Sequence, residues 1–306
     1  MTAFTLSSVG RALRCYRCRQ KPAGGLRHCG LVSLGMSTDD KRTKFLQLHV
    51  KGSPLIMPNP ADQGEARLLA SLGFSALATT SGGFAATLGR PDYGVSRDEA
   101  IAHAAAIVSS VDVPVSADFE NGFGDRPDDV AATVKSAVDI GLAGCSIEDF
   151  TRRADRALYE IDVAAERVAA AAEAAHRGPG PGLVLTARAE NYLRGHPDLA
   201  DTIRRLQAFE EAGADVLYAP GLSDLSAISA IVSAVELPVN VLLMAGGPSV
   251  TELAHAGVAR ISVGSSFHNV ALGALARAGR QLLEDGSCAW MDLAAEGRTA
   301  AVAAFK

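Results

Sequence analysis

The sequence predicts an α/β protein, a (β/α)8 TIM-type barrel with extra C-terminal helices. From Ser53 onward eight short apolar runs each lead through a turn into an amphipathic helical stretch. Four junctions repeat one pattern, a glycine followed almost at once by the next apolar run: LGFSAL, IGLAGCSI, AGADVLY and AGVARISV. Such alternation over about 250 residues suits a closed parallel barrel. A doubly wound open sheet is the alternative. It would need a GxGxxG after its first strand, which this chain lacks, and a break into halves, which it does not show.

The strand candidates, in order, are Leu55–Met57, Ala76–Thr80, Val113–Phe119, Gly144–Phe150, Leu183–Ala189, Val216–Ala219, Val239–Met244 and Ile261–Gly264. The helices between them carry start and stop signals. Asp62 and Ser96 have short polar side chains able to accept from first-turn amides. Pro127 and Pro197 sit at early helical positions, where a missing N–H does no harm. Gly73, Gly141, Gly213 and Gly257 follow last turns, where a left-handed residue closes the helix. After Val270, ALGALARAG and AWMDLAAEG read as the extra helices.

The chain has 306 residues, 48% apolar and 21% charged, with net charge −5, a composition with a sizeable core. Its few lysines are dispersed, so no nucleic-acid footprint is expected. No membrane span is expected either, since the alanine-rich Val163–Ala175 is broken by Glu166, Arg167 and Glu173. Residues 1–35 form a basic leader, and residues 36–306 a single barrel domain with its helical extension. The first 38 residues contain no Asp or Glu but include Arg11, Arg14, Arg17, Arg19 and Arg27. That composition suits an organelle transit peptide. The reading taken is translation from Met36 with a dispensable leader and a cytoplasmic protein. Cys15 and Cys18 have zinc spacing, but His28 abuts Cys29 and strains a tetrahedral site, so no zinc is expected. Cys145 and Cys288 lie far apart, and no disulfide is expected.

In a barrel the chemistry sits where strands end. The third run ends in SADFENGFG, where Asp118 and Glu120 two apart are expected on one side of the strand. Oxygen ligands with room for water suit a hard cation such as Mg2+. The fourth run ends in Glu148-Asp149 and the fifth in Thr186-Ala187-Arg188-Ala189-Glu190. Asp118, Glu120, Glu148 and Glu190 are thus expected around one cation, with Arg188 holding a substrate carboxylate in its fork. The second run ends in Thr79-Thr80-Ser81-Gly82-Gly83, a small turn whose free amides can cradle an anionic oxygen. Each residue also has a purely structural reading. Asp92 could cap the helix near Ser96; Glu148 or Glu190 could simply pair with Arg188. What is missing also counts. None of the six lysines falls at a strand end, which disfavours a Schiff-base aldolase, and no histidine pair in the barrel has zinc spacing.

From about Met36 to Leu275 the pieces TTSGGFAATLGRPDYG, SADFENGFG, SIEDF, LTARAEN, PVNVL and GVARISVGSS occur in order, and the chain resembles the isocitrate lyase/phosphoenolpyruvate mutase superfamily. The resemblance implies a barrel whose eighth helix swaps between subunits, usually in tetramers. It implies Mg2+, or Mn2+ in its place, held by Asp118 directly and by Glu120 and Glu148 largely through water. It also implies catalytic roles for Asp92, Arg188 and Glu148. Substrate would be bound by Thr80, Ser81, Gly82, Gly83, Arg188, Glu190 and Asn240. Two features depart from the pattern. Many relatives carry Asp-x-Asp-Thr-Gly where this chain has Asp118-x-Glu120-Asn121-Gly122. The loop after the fourth strand, where isocitrate and methylisocitrate lyases place an acid/base cysteine, reads TRRADRALYE from Thr151 to Glu160, without Cys, His or Lys.

The implied activity is cleavage of a C–C bond in a small 2-oxo or 2-hydroxy carboxylate through an enolate-like state, of the oxaloacetate decarboxylase or hydrolase kind. A C–P bond enzyme, with Arg152, Arg153 and Arg156 on a phosphonate, is one alternative. A barrel that binds a carboxylate without turnover is the other.

Overall fold

A computed structural model describes residues 35–306 apart from Arg156. The leader readings, including Cys15, Cys18, His28 and Cys29, therefore lie outside the described residues, as does Arg156.

Eight strands form one sheet: β1 (Leu55–Met57), β2 (Leu77–Ala78), β3 (Val115–Asp118), β4 (Gly144–Glu148), β5 (Val184–Arg188), β6 (Val216–Tyr218), β7 (Val239–Leu242) and β8 (Arg260–Ser262). All neighbours run parallel, in the order β1-β8-β7-β6-β5-β4-β3-β2. The ends of that order meet where the Ala78 amide donates to the Pro58 carbonyl at 3.0 Å. The barrel is thereby nearly closed, and each predicted run contains or overlaps one strand.

Helix α1 (Thr38–Gln47) precedes the barrel. The helices that follow are α2 (Gln63–Ser71), α3 (Ser81–Thr87), α4 (Arg97–Ser110), α5 (Pro127–Asp139), α6 (Ile161–Ala175), α7 (Leu199–Glu211), α8 (Leu225–Ala234) and α9 (Val250–His255). After β8 come α10 (Ser266–Asp285) and α11 (Met291–Ala304). The expected caps form: the side chain of Asp62 accepts from the Glu65 amide, and Ser96 makes a capping box with Glu99. Pro127 opens α5. Pro197 does not open α7; Asp198 caps it, so the proline lies outside. The extra helices also begin earlier than expected, because α10 starts at Ser266 directly after β8.

Strand alternation sorts the core into two parts. Leu77, Cys145, Ile147, Leu185 and Leu217 face the helices and join Val134, Val168, Leu206 and Phe209 in one apolar layer. Leu55, Met57, Ala78, Val184 and Val216 face the barrel axis, where the ring of Phe45 from α1 packs among them. A Cβ on Gly144 would lie 2.6 Å from the Phe45 ring and 2.8 Å from the Val184 carbonyl, so only glycine admits this packing. The barrel is thus filled with apolar side chains at its N-terminal end and turns polar toward the strand ends. No helix among the described residues is long and apolar enough to cross a membrane.

Candidate active site

The ends of β2 to β5 bring most of the expected residues together. Thr80 caps α3, its hydroxyl oxygen accepting from the Gly83 amide at 3.3 Å. The Thr80–Gly83 segment is therefore the first turn of a helix, not the free turn expected from sequence. A Cβ on Gly83 would lie 2.4 Å from the Thr80 methyl, which explains that glycine. The hydroxyl of Ser81 donates to Asp118 Oδ2 at 3.1 Å. Asp92 is not a helix cap, since Ser96 fills that role; its carboxylate accepts from the Tyr93 amide at 3.0 Å and lies beside Gly82.

Arg188, at the end of β5, is the hub. Its guanidinium reaches Asp118 at 2.9 Å, Glu148 at 3.2 Å and Glu190 at 2.7 Å. Burial works against its charge, but these carboxylates outweigh that and hold its pKa well above the ordinary arginine value. Burial, and then the charge of Glu190, raises the Glu148 carboxyl well above its usual range. Glu148 also accepts from the Tyr93 hydroxyl at 2.8 Å, and Arg194 joins the cluster 2.9 Å from Glu190. The fork expected to hold a substrate carboxylate is thus already engaged by protein carboxylates.

Glu120 departs from expectation. Strand β3 ends at Asp118, and Glu120 sits in a left-handed turn with φ of 50°, so strand alternation does not align the two. Its carboxylate is buried against Arg152 from the loop after β4, while its Oε1 has no hydrogen-bond partner among the described residues. Burial pushes the Glu120 carboxyl up to about 8 against the pull of Arg152, with Asp118 and Asp92 adding to the rise. Among the described residues no three His, Cys, Asp or Glu side chains are grouped as direct metal ligands. The four carboxylates expected around a cation converge instead on Arg188, Arg152 and Arg194.

A cavity of about 190 Å3 opens at this end. Thr80, Ser81, Gly82, Asp92, Asp118, Arg188 and Asn240 line it. Gly83, Glu120, Glu148 and Glu190 do not line it; Glu148 and Glu190 pair with Arg188, which does, whereas Glu120 pairs with Arg152, which does not. Asp149 points away, paired with Arg205 at 3.0 Å. Tyr159, the phenol within the loop after β4, is turned toward Asp125 at 2.5 Å, and burial pushes it up to about 12.

Sequence reasoning missed Tyr93, Arg194 and Arg260, all of which line the cavity. Arg194 had a usable signal, standing four residues after Glu190 in a turn. Tyr93 lies next to Asp92 but reaches the site only because its backbone is left-handed, with φ of 62°.

Fold and site together define a (β/α)8 barrel with a cavity lined by charged side chains at its strand ends. The chain belongs to the phosphoenolpyruvate phosphomutase family, which matches residues 45–283, and with it to the phosphoenolpyruvate mutase/isocitrate lyase superfamily. It is similar to the oxaloacetate decarboxylase of Paraburkholderia xenovorans, 33% identical over 263 residues, 81% of this chain and 83% of that one. It is also similar to the 2-methylisocitrate lyase of Escherichia coli, 30% identical over 212 residues, 67% of this chain and 70% of that one. A solved Burkholderia cenocepacia protein assigned to the lyases or mutases superposes with a TM-score of 0.81 at 48% identity, over 83% of this chain and 92% of its own. A phosphonopyruvate hydrolase solved with oxalate and Mg2+ shares the fold, with a TM-score of 0.73 at 23% identity, over 85% of this chain and 91% of its own.

Proposed function

We propose that this enzyme is a Mg2+-dependent lyase that breaks a C–C bond in a small 2-oxo or 2-hydroxy carboxylate, an oxaloacetate-type dicarboxylate being the substrate class. One observation carries the reading: buried carboxylates gathered on Arg188 behind a cavity sized for a few carbon atoms. The donor chemistry fits the ion. Asp118, Glu120 and Glu148 offer hard oxygens, and the buried Glu120 Oε1 lacks, among the described residues, a partner that a hydrated cation would provide. The absence of a direct three-ligand group among the described residues is compatible with Asp118 as direct ligand and the two glutamates acting through water. When bound, the ion would act as a Lewis acid, neutralising charge that develops on the 2-oxygen.

The chain's own residues supply position and charge. The first-turn amides of Ser81 and Gly82 face the cavity mouth and can hold a carboxylate oxygen. Arg188, kept charged by its carboxylates, balances the enolate-like state. Tyr93 and Arg194 fix Glu148 and Glu190, so the charged wall does not have to reorganise during the reaction. Arg152, from the loop after β4, pairs with the buried Glu120 and fixes its carboxylate.

A C–P enzyme has less support. Arg152 is engaged by Glu120 and Arg153 by Asp155, so neither is poised for a phosphonate. The deciding assay is turnover with Mg2+ on oxaloacetate, phosphonopyruvate, isocitrate and 2-methylisocitrate. Oxaloacetate turnover should lead; phosphonopyruvate outpacing it would move the activity to C–P cleavage.

The proposal includes a homo-oligomer, a tetramer by family resemblance. Val270, Leu275 and Leu283 on α10 are 69%, 70% and 88% exposed, large apolar side chains that a second copy of the chain would cover. Light scattering that gave only monomer would refute this.

A further inference from the structure

Arg260 opens β8 and points into the barrel, where it is 2% exposed and lines the same cavity as Arg188. Its partners are unusual. One guanidinium nitrogen lies 3.1 Å from His49 Nε2 and the other donates to the Thr186 hydroxyl at 3.0 Å, while Nε has no partner among the described residues. Arginine can only donate, so His49 accepts at Nε2 and carries its proton on Nδ1, which donates to the Phe45 carbonyl at 2.8 Å. His49 is therefore neutral, as burial and the adjacent Arg260 require; together they push its pKa down to about 3.

The other buried arginines differ. Arg42 and Arg167 donate to backbone carbonyls, and Arg205 meets Asp149 and Asp201. Arg260 alone among them has neither a carbonyl nor a carboxylate partner among the described residues. Burial lowers its pKa only to about 10, so it stays charged at neutral pH. A buried charge without a counter-ion is strongly unfavourable unless something compensates it.

The surroundings suit an anion. Ser116 and Ser146 line the cavity and bring hydroxyls to it. Asn240 and Ser262 line it too, joined to each other at 3.0 Å.

We propose that Arg260 and the hydroxyls of Ser116 and Ser146 form a subsite for the second anionic group of the substrate. The reacting 2-oxo acid is held near Arg188, and a carboxylate at the far end reaches Arg260. The site then selects short dianions over monocarboxylic 2-oxo acids. This rests on the reading of the site as one for a 2-oxo acid, and the test separates the two.

Wild type, Arg260→Gln and Arg260→Lys are titrated calorimetrically with Mg2+ and either oxalate, which lacks a distal carboxylate, or 3,3-difluorooxaloacetate, which has one. Arg260→Gln should keep oxalate affinity within about twofold and lose about tenfold or more for the longer dianion, with Arg260→Lys in between. Equal losses for both ligands, or none for either, overturn the subsite. A second arm needs no metal: malonate should raise the melting temperature of wild type by about 2 °C or more and leave Arg260→Gln unmoved. No malonate shift in wild type overturns the subsite even if Mg2+ and oxalate bind. A shift there, with no oxalate binding under Mg2+, supports the subsite and removes the metal reading. Without ligand, Arg260→Gln should melt at or above the wild-type temperature; a large fall would make Arg260 a structural strut and overturn the proposal.

Discussion

Replacing Arg188 by Gln removes the charge that holds Asp118, Glu148 and Glu190 together at 2.9, 3.2 and 2.7 Å. Glu148 and Glu190 are almost wholly buried, so they gain little from water when the guanidinium is lost. Breaking a buried pair by removing one partner costs about 3–5 kcal/mol. Arg194 still reaches Glu190 and Tyr93 still donates to Glu148, which argues for the lower half of that range. At about 2–4 °C per kcal/mol for a domain of this size, the melting temperature should fall by roughly 6–16 °C near neutral pH. The pH dependence gives a sharper check. The Glu148 carboxyl already sits well above its ordinary value, so the folded state holds a proton that the unfolded state releases. Stability on that account falls as pH rises above the unfolded carboxyl range. Losing Arg188 raises the Glu148 carboxyl further, so the deficit of Arg188→Gln should be largest at alkaline pH and shrink on acidification. Paired thermal melts across pH 5 to 9 would show it. A deficit that is absent, or that grows toward acid, would refute the hub.

Three further outcomes follow. Wild type should lose stability as pH falls from about 6.5 to 5, because neutral His49 must stay unprotonated in the fold while the unfolded chain takes up a proton; at pH 5 this amounts to about 2 kcal/mol. His49→Gln should flatten that acid limb in denaturant titrations, and an unchanged limb would contradict it. Cys145→Ser should leave turnover unaltered, since Cys145 faces the helix layer, yet lower stability by about 1–3 kcal/mol by burying a hydroxyl there. Glyoxylate or pyruvate release from isocitrate or 2-methylisocitrate should be negligible, because the loop after β4 has no thiol and Tyr159 is occupied with Asp125; robust release would show that another group donates the proton.

The barrel was legible because glycine punctuation and apolar runs are local signals. Gly73, Gly141, Gly213 and Gly257 all adopt positive φ where the sequence placed helix ends. The strand-end acids were legible as a set, but not their geometry. The left-handed backbone of Glu120 and the meeting of Glu120 with Arg152 depend on how two loops pack, which periodicity does not encode. Arg260 was invisible for a different reason. Inside the apolar-looking run GVARISV an arginine reads as a strand-edge charge, and only barrel closure shows it turned inward beside His49, 211 residues away in sequence. Pro197 reads as a helix start by residue type alone, whereas Asp198, with its side chain on the Asp201 amide, takes the cap.

The central claim, a Mg2+ site at Asp118 serving an enolate-like state, is tested most directly by calorimetric titration of the full chain with Mg2+ in the presence of oxalate. Wild type should bind the ion, with oxalate strengthening binding, and Asp118→Ala should abolish both the binding and the turnover of oxaloacetate. No Mg2+ binding by wild type even with oxalate present, or unchanged binding by Asp118→Ala, would contradict the account.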